Sequence, residues 1–424
     1  MINPDVHINS DNIMNPELLN RIAEKGLKGS IAEEYSREQN IAIRSKVSHL
    51  LGYLTTITTW DSLSQLMQEF NARTYFQEVN FDSFIEKFEQ RFGQDIKAYM
   101  DEWYTTHEVP LLSIKDASRK TTENTQIIEF KVGNLSKTDG IVSIVAISYP
   151  EKSIIRNLQS YLIKAGEYKR IIVHEDIKYK VQLTTNFSGH FPENIYFEVN
   201  QAPLFGPIPK EGVTLLDRNQ FYPPREIMVD NEDDNFSLID SANNRKRLTD
   251  IIKKEYGQKY TNRLQILKTN AWSLPILQEL HGKHIRSAFV KKAGTGQFKA
   301  EWRANLPEAG KYEIFIYRPH LVGFEEGKTA SDHPGMKNYY TVYTPKGKEE
   351  IILEIPEKED IWIGSTSALP EEEAWVSLGT FTLPAGESRV VLDDRGVPPI
   401  TDRLFGEFEQ MVVADAVKWV KKKY

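Results

Sequence analysis

The chain has 424 residues, 40% of them hydrophobic and 11% aromatic, a formal net charge of -7 and no cysteine. At roughly 100–200 residues per domain, this length exceeds what one hydrophobic core serves and implies two to four domains, of which we expect three. The mildly acidic balance gives no general pull toward nucleic acid, and the missing cysteines exclude disulfides, thiolate metal sites and a cysteine nucleophile.

The N-terminal MINPDVHINSDNIMNP has no basic segment followed by an apolar run, and no later stretch approaches 18 uninterrupted apolar residues. Neither a signal peptide nor a membrane span is predicted. If complete, the chain is expected in the cytoplasm; as the end of a longer protein, it is expected outside the cytoplasm or at a membrane.

From Pro16 to about Tyr104 the apolar period is helical. Ile43, Val47, Leu50, Leu51 and Leu54 mark one face of a long helix. Phe81, Phe84, Ile85, Phe88 and Phe92 mark another, with Asn80 placed to cap its start and Gly93 to end it. Asp95 caps a shorter helix bearing Ile96, Tyr99, Met100 and Trp103. These elements predict a helical domain over residues 1–111.

From Thr125 the period becomes two. QIIEFKVGNL, GIVSIVAISY, YKRIIVHED, YKVQLTTNF and NIYFEVN predict an antiparallel sandwich of immunoglobulin-like size over residues 112–201. Pro203, Pro207, Pro209, Pro223 and Pro224 then predict an extended linker over residues 202–225.

The acidic run VDNEDDNF leads into a helical insertion near residues 241–270, rich in Lys and Arg and read as a solvated face. GQFKAEWRA, GKYEIFIYRP, YYTVYTP, EEIILEIP, WVSLGTFTLP, ESRVVLDD and QMVVADAVKWV alternate again and predict a second sandwich, of jelly-roll type, over residues 226–424. The fold class is therefore multidomain α+β: an N-terminal helical bundle followed by two antiparallel β-sandwiches.

Catalytic signatures are incomplete. His107-Glu108 and His174-Glu175 lack the second histidine, one helical turn on, that a zinc peptidase needs, and His281 and His284 have no third ligand in view. There is no G-x-S-x-G for a serine nucleophile. AGTGQFKA leads into a strand, whereas a phosphate cradle needs a helix N-terminus, so it reads as a turn. Asp230 and Asp233 are weak calcium candidates within a run that lacks the glycine and terminal glutamate of a calcium loop.

Aromatic platforms for the apolar faces of sugars are the better prospect. Trp302 and Trp375 lie in alternating strands and are expected in the core. Trp362, Trp272 and Tyr317 are the candidate ligand contacts. Asp415, a carboxylate among apolar neighbours, is expected to be hydrogen-bonded to backbone or arginine.

Two resemblances extend these readings. Residues 40–112, with landmarks Phe84, Phe88, Gly93, Asp95 and Trp103, resemble the C-terminal helical end of M1-family zinc aminopeptidase regions. The family's zinc and substrate motifs precede that end, so no site residue is carried over. The resemblance implies a peptidase or transporter-linked domain upstream.

MVDNEDDNF, HGKHIRSAF, GTGQFKAEWRANLPEAGKYEIFIYRP, YYTVYTPKGKEEIILEI, AWVSLGTFTLPAGESRVVLDD and VVADAVKWV resemble, in order, the golvesin C-terminal-like domain, also described as xanthan-lyase carbohydrate-binding-like. The family implies a β-sandwich that binds carbohydrate or surface polymer. The expectation is a non-catalytic binding or presentation protein without cofactor, with carbohydrate or surface polymer as partner and no nucleic acid. The alternative is the C-terminal part of an M1-type peptidase.

Overall fold

A computed structural model describes residues 16–31, 37–74, 80–148, 154–197, 202–203, 206–240, 260, 271–323, 329–355, 374–402 and 406–422. The helical period gives five helices: α1 (Pro16–Ile31), α2 (Arg37–Ile57), α3 (Trp60–Arg73), α4 (Phe81–Phe92) and α5 (Lys97–Thr105). Asn80 caps α4 by accepting from Ser83 N, and Gly93 ends it at φ 66 in the left-handed region. Asp95 accepts from Lys97 N at the start of α5.

Leu50, Leu54, Leu63, Phe88, Met100 and Trp103 form the helical core. Lys46 is buried within it and clasps α2 to α5. Its Nζ donates to Trp103 O at 2.8 Å, while Trp103 Nε1 donates to Lys46 O at 2.9 Å. Burial lowers this amine to about 8.

The first β region comprises β1 (Leu112–Thr121), β2 (Thr125–Asn134), β3 (Gly140–Ser148), β4 (Ile154–Ile163), β5 (Tyr168–Asp176), β6 (Tyr179–Thr184), β7 (Asn194–Phe197), β8 (Ala202–Pro203) and β9 (Gly212–Leu215). Two sheets, ordered β8-β1-β2-β5-β9 and β4-β3-β6-β7, share one core through Ile128, Phe130, Val142, Ile144, Ile171 and Leu183.

The strands continue past residue 201. The segment expected as a linker supplies strands: β8 pairs in parallel with β1, and β9 pairs with β5. A proline that cannot donate to a ladder is tolerated on such an edge. The helices and this sandwich fall within one compact unit, residues 1–216.

The reason lies on α2. A Cβ on Gly52 would sit 2.9 Å from Ile141 Cγ2, so the helix packs closely on side chains of the sheet. Around it runs a hydroxyl seam. Ser48 Oγ donates to Asn186 Oδ1, Asn186 Nδ2 donates to Ser143 Oγ, and Ser160 Oγ links Ser143 to Thr55.

Among the described residues, the second unit, residues 217–424, holds a short helix, α6 (Arg218–Phe221), and fourteen strands. They are β10 (Glu226–Val229), β11 (Phe236–Asp240), β12 (Phe289–Lys292), β13 (Phe298–Leu306), β14 (Gly310–Tyr317), β15 (Val322–Gly323), β16 (Thr329–Ala330), β17 (Lys337–Thr344), β18 (Gly347–Glu354), β19 (Trp375–Leu383), β20 (Gly386–Asp393), β21 (Ile400–Asp402), β22 (Gly406–Ala414) and β23 (Val417–Lys421).

They form sheets β10-β23-β14-β19, β11-β13-β20-β17-β18 and β12-β22-β16-β15, with β21 beside β22. A third sheet thus joins the two that a plain sandwich requires. Trp302, Tyr312 and Trp419 fill the core, and their polar atoms donate to Asp415 O, Glu308 O and Ser388 Oγ.

The expected helical insertion, Tyr260 apart, and the acidic loop containing Trp362 lie outside the described residues. Among the described residues, no helix is long and apolar enough to cross a membrane.

Candidate functional site

In the five-stranded sheet of the second unit, alternate residues point away from the core. β17 buries Tyr340 and Val342 and leaves Tyr339, Thr341 and Tyr343 half-buried on the other side. β20 buries Val390 and Leu392 and turns Arg389 and Asp393 outward; β13 buries Ala300, Trp302 and Ala304 and turns Glu301 and Arg303 outward. Strand register then sets the neighbours. Tyr343 lies beside Arg389, Arg389 beside Arg303, and Tyr339 beside Asp393.

Glu301 organises this row. Its side chain is only 2% exposed and accepts from Arg303 Nε at 2.7 Å and Nη2 at 2.6 Å, and from Arg389 Nη1 at 3.1 Å. The hydrogen bond to Glu301 raises the Arg303 pKa above its ordinary value. Fixed in this way, Arg389 lies 3.5 Å from the centre of the Tyr343 ring. At the other end of β17, Arg395 lies 4.3 Å from the Tyr339 ring and is held by Asp393 and Glu350.

Beside Arg303 opens a cleft of about 350 Å³, lined by Asp234, Asn235, Ser237, Arg303, Asn305 and Glu387. The face thus sets aromatic rings beside planar donors and acceptors whose directions are fixed by ion pairs. That arrangement suits a ligand that alternates apolar C–H surface with hydroxyl groups.

Of the residues singled out from sequence, Trp272 and Tyr317 lie elsewhere. Trp272 is in the core, with Lys291 Nζ 5.8 Å from its ring. Tyr317 is 5% exposed and packs against His281 and Trp375, both at 5.2 Å between ring centres. Neither turns a free ring face to solvent. Trp302 is buried as expected; Trp375 is only half-buried, with Lys418 Nζ 4.1 Å from its ring.

Asp230 and Asp233 interlock a tight turn. Asp233 accepts from Asp230 N at 3.0 Å and takes Lys283 Nζ at 2.8 and 3.1 Å, so its oxygens are already engaged. Asp230 is buried, and desolvation together with Asp233 pushes its pKa well up. Asp415, also buried, accepts from His281 N as the sequence suggested; desolvation and Asp230 push its pKa up too.

Among the described residues, no group of three or more histidines and carboxylates is set to hold a metal. The AGTGQFKA turn is stapled by Asp394, which accepts from Gly296 N and Phe298 N and pairs with buried Lys291 at 2.5 Å. A buried His320–Asp332 pair, 2.6 Å apart, has Ser331 nearby in sequence, but that hydroxyl donates to Pro319 O and accepts from Leu321 N.

Sequence reasoning missed Tyr339, Tyr343, Arg389 and Glu301. The signal was present in YYTVYTP, whose two-residue period places Tyr339 and Tyr343 on one face and Tyr340 on the other.

No protein-family model matches the chain, and no match to a curated protein was found. Solved structures similar in part include β-glucosidase 3B from Thermotoga neapolitana in complex with glucose, at 9% identity and TM-score 0.18, over 22% of this chain and 16% of that one. TmCBM61 in complex with β-1,4-galactotriose is similar at 11% identity and TM-score 0.18, over 47% of this chain and 90% of that one. β-Glucuronidase 2 from Bacteroides uniformis is similar at 10% identity and TM-score 0.17, over 79% and 32%. This chain thus spans about a sixth of the length of the matched β-glucosidase.

Proposed function

We propose that the protein is a non-catalytic binding or presentation module that holds carbohydrate or surface polymer on the outer face of the β11-β13-β20-β17-β18 sheet. The observation that carries this is the pairing of Tyr343 and Tyr339 with guanidinium planes that carboxylates hold in place. The two rings are four residues apart on one strand, a separation of about 13 Å that a short stretch of extended saccharide can cover.

Each ring and the guanidinium over it form one flat surface, whose remaining N–H groups supply donors to hydroxyls. Little side-chain entropy remains to be lost on binding. The order of motifs from MVDNEDDNF to VVADAVKWV supports reading this unit as golvesin-like with jelly-roll character, and the first sandwich as immunoglobulin-like. The M1-peptidase alternative rests on the landmarks from Phe84 to Trp103.

The test is affinity gel electrophoresis of the full chain in gels containing soluble polysaccharides. Retardation by at least one polymer is expected, with its loss in Tyr343→Ala and weakening in Tyr339→Ala. Retardation unchanged in both variants would place binding elsewhere.

A further inference from the structure

We infer that the cleft beside Arg303 receives the terminal residue of an uncharged saccharide, so that the face recognises chain ends and rejects uronic acids. The inference rests on the carbohydrate reading and specifies its ligand.

Three observations carry it. The first is size. Along β17 the outward tyrosines are half-buried, whereas between Asp234, Asn305 and Glu387 the face becomes a cleft of about 350 Å³, room for one pyranose ring and a few waters rather than a passing chain.

The second is continuity. Arg303 belongs to both the cleft and the clamped row, and register puts Arg389 beside Arg303 and Tyr343 beside Arg389. The cleft and the Tyr343 ring are therefore two strand spacings apart, about 10 Å. A ligand with its last ring in the cleft lays its next rings across Arg389 and Tyr343.

The third is charge and hydrogen-bonding capacity. Of the charged residues lining the cleft, Asp234 and Glu387 outnumber Arg303 by one, and Glu301 already accepts from Arg303 and Arg389. A carboxylate entering the cleft would meet two carboxylates, Asp234 and Glu387, against the single guanidinium of Arg303, which is already paired with Glu301 and lies 3.8 Å from Glu387, and would be repelled. Neutral vicinal hydroxyls instead find acceptors in those carboxylates and donors in Asn235, Asn305 and the exposed side of Arg303. Glu301 acts here as a positioning residue.

The experiment is calorimetric titration of the full chain with galacto-, gluco- and mannotriose and with trigalacturonate, beside Asn305→Trp and Tyr343→Ala. Asn305 is exposed at the cleft, so the indole is expected to fill it without disturbing the core. The expected result is binding of at least one neutral trisaccharide, weakened about tenfold or more by Asn305→Trp and by Tyr343→Ala, with trigalacturonate weaker than the neutral sugars by a similar factor. A neutral trisaccharide whose affinity falls in Tyr343→Ala but not in Asn305→Trp overturns chain-end recognition and leaves the face reading standing.

Tighter binding of trigalacturonate overturns the neutral class. If no trisaccharide binds while polysaccharide still retards the protein, the cleft is not a sugar subsite. If polysaccharide also fails, the face reading falls with it.

Discussion

Replacing Glu301 by Gln keeps the shape of the side chain and removes the charge that fixes two arginines. Three hydrogen bonds to Glu301 are at stake, at 2.7, 2.6 and 3.1 Å. Each charge-assisted bond contributes about 1.5–3 kcal/mol when removed. The guanidinium side chains are 39% and 31% exposed, so water recovers part of that loss. Breaking a fully buried pair costs about 3–5 kcal/mol, so about 2–4 kcal/mol is expected here.

With a urea m-value of about 2–3 kcal/mol/M, the midpoint of the second unit should fall by roughly 1 M. Tryptophan fluorescence reports chiefly on this unit, which holds Trp272, Trp302, Trp362, Trp375 and Trp419 of the seven tryptophans. Saccharide affinity should fall with stability, because Arg389 loses its anchor above Tyr343. A midpoint shift under about 0.2 M with unchanged binding would refute the view that Glu301 holds the face together.

Two further outcomes follow from buried groups. Asp230 and Asp415 have folded-state pKa values raised above the unfolded carboxylate range, so the folded state holds protons that the unfolded state has released. The stability of the second unit should therefore decline as pH rises from about 4 through the folded values, and Asp415→Asn should flatten that slope and add about 1 kcal/mol or more at neutral pH; urea titrations across pH check this, and an unchanged slope in the variant would contradict it. In the first unit, Gly52→Ala forces a methyl to 2.9 Å from Ile141 Cγ2 and 3.2 Å from Ser143 Oγ. It should cost about 1–3 kcal/mol, seen as a lower thermal midpoint with normal saccharide binding.

What could be read from the chain depended on how far apart the cooperating residues lie. Asn80 and Gly93 were legible because a helix cap is a local bargain between a side chain or a left-handed backbone and the adjacent turn. The candidate face was not, because Arg303, Tyr343 and Arg389 meet only through strand register across 86 residues of chain. In strands that alternate, large apolar side chains fill the inward rows, as Trp302, Tyr312 and Trp419 do, and which rings are left outside follows from the phase of each strand.

Reliance on apolar residues is why the helices read as a domain of their own. Apolar period on α2 picks out Ile43, Val47, Leu50 and Leu54, which pack among the helices, and its other side then counts as solvated. Yet Ser45, Ser48, Gly52 and Thr55 recur at helical spacing, and this is the side that meets the sheet. Small and hydroxyl residues let a helix pack closely on a sheet and satisfy one another's hydrogen bonds, so burial there leaves no apolar signature. A helix with two buried faces, one greasy and one of hydroxyls, joins two layers into a single unit. The stripe is visible in the sequence once polarity is no longer taken as a measure of exposure.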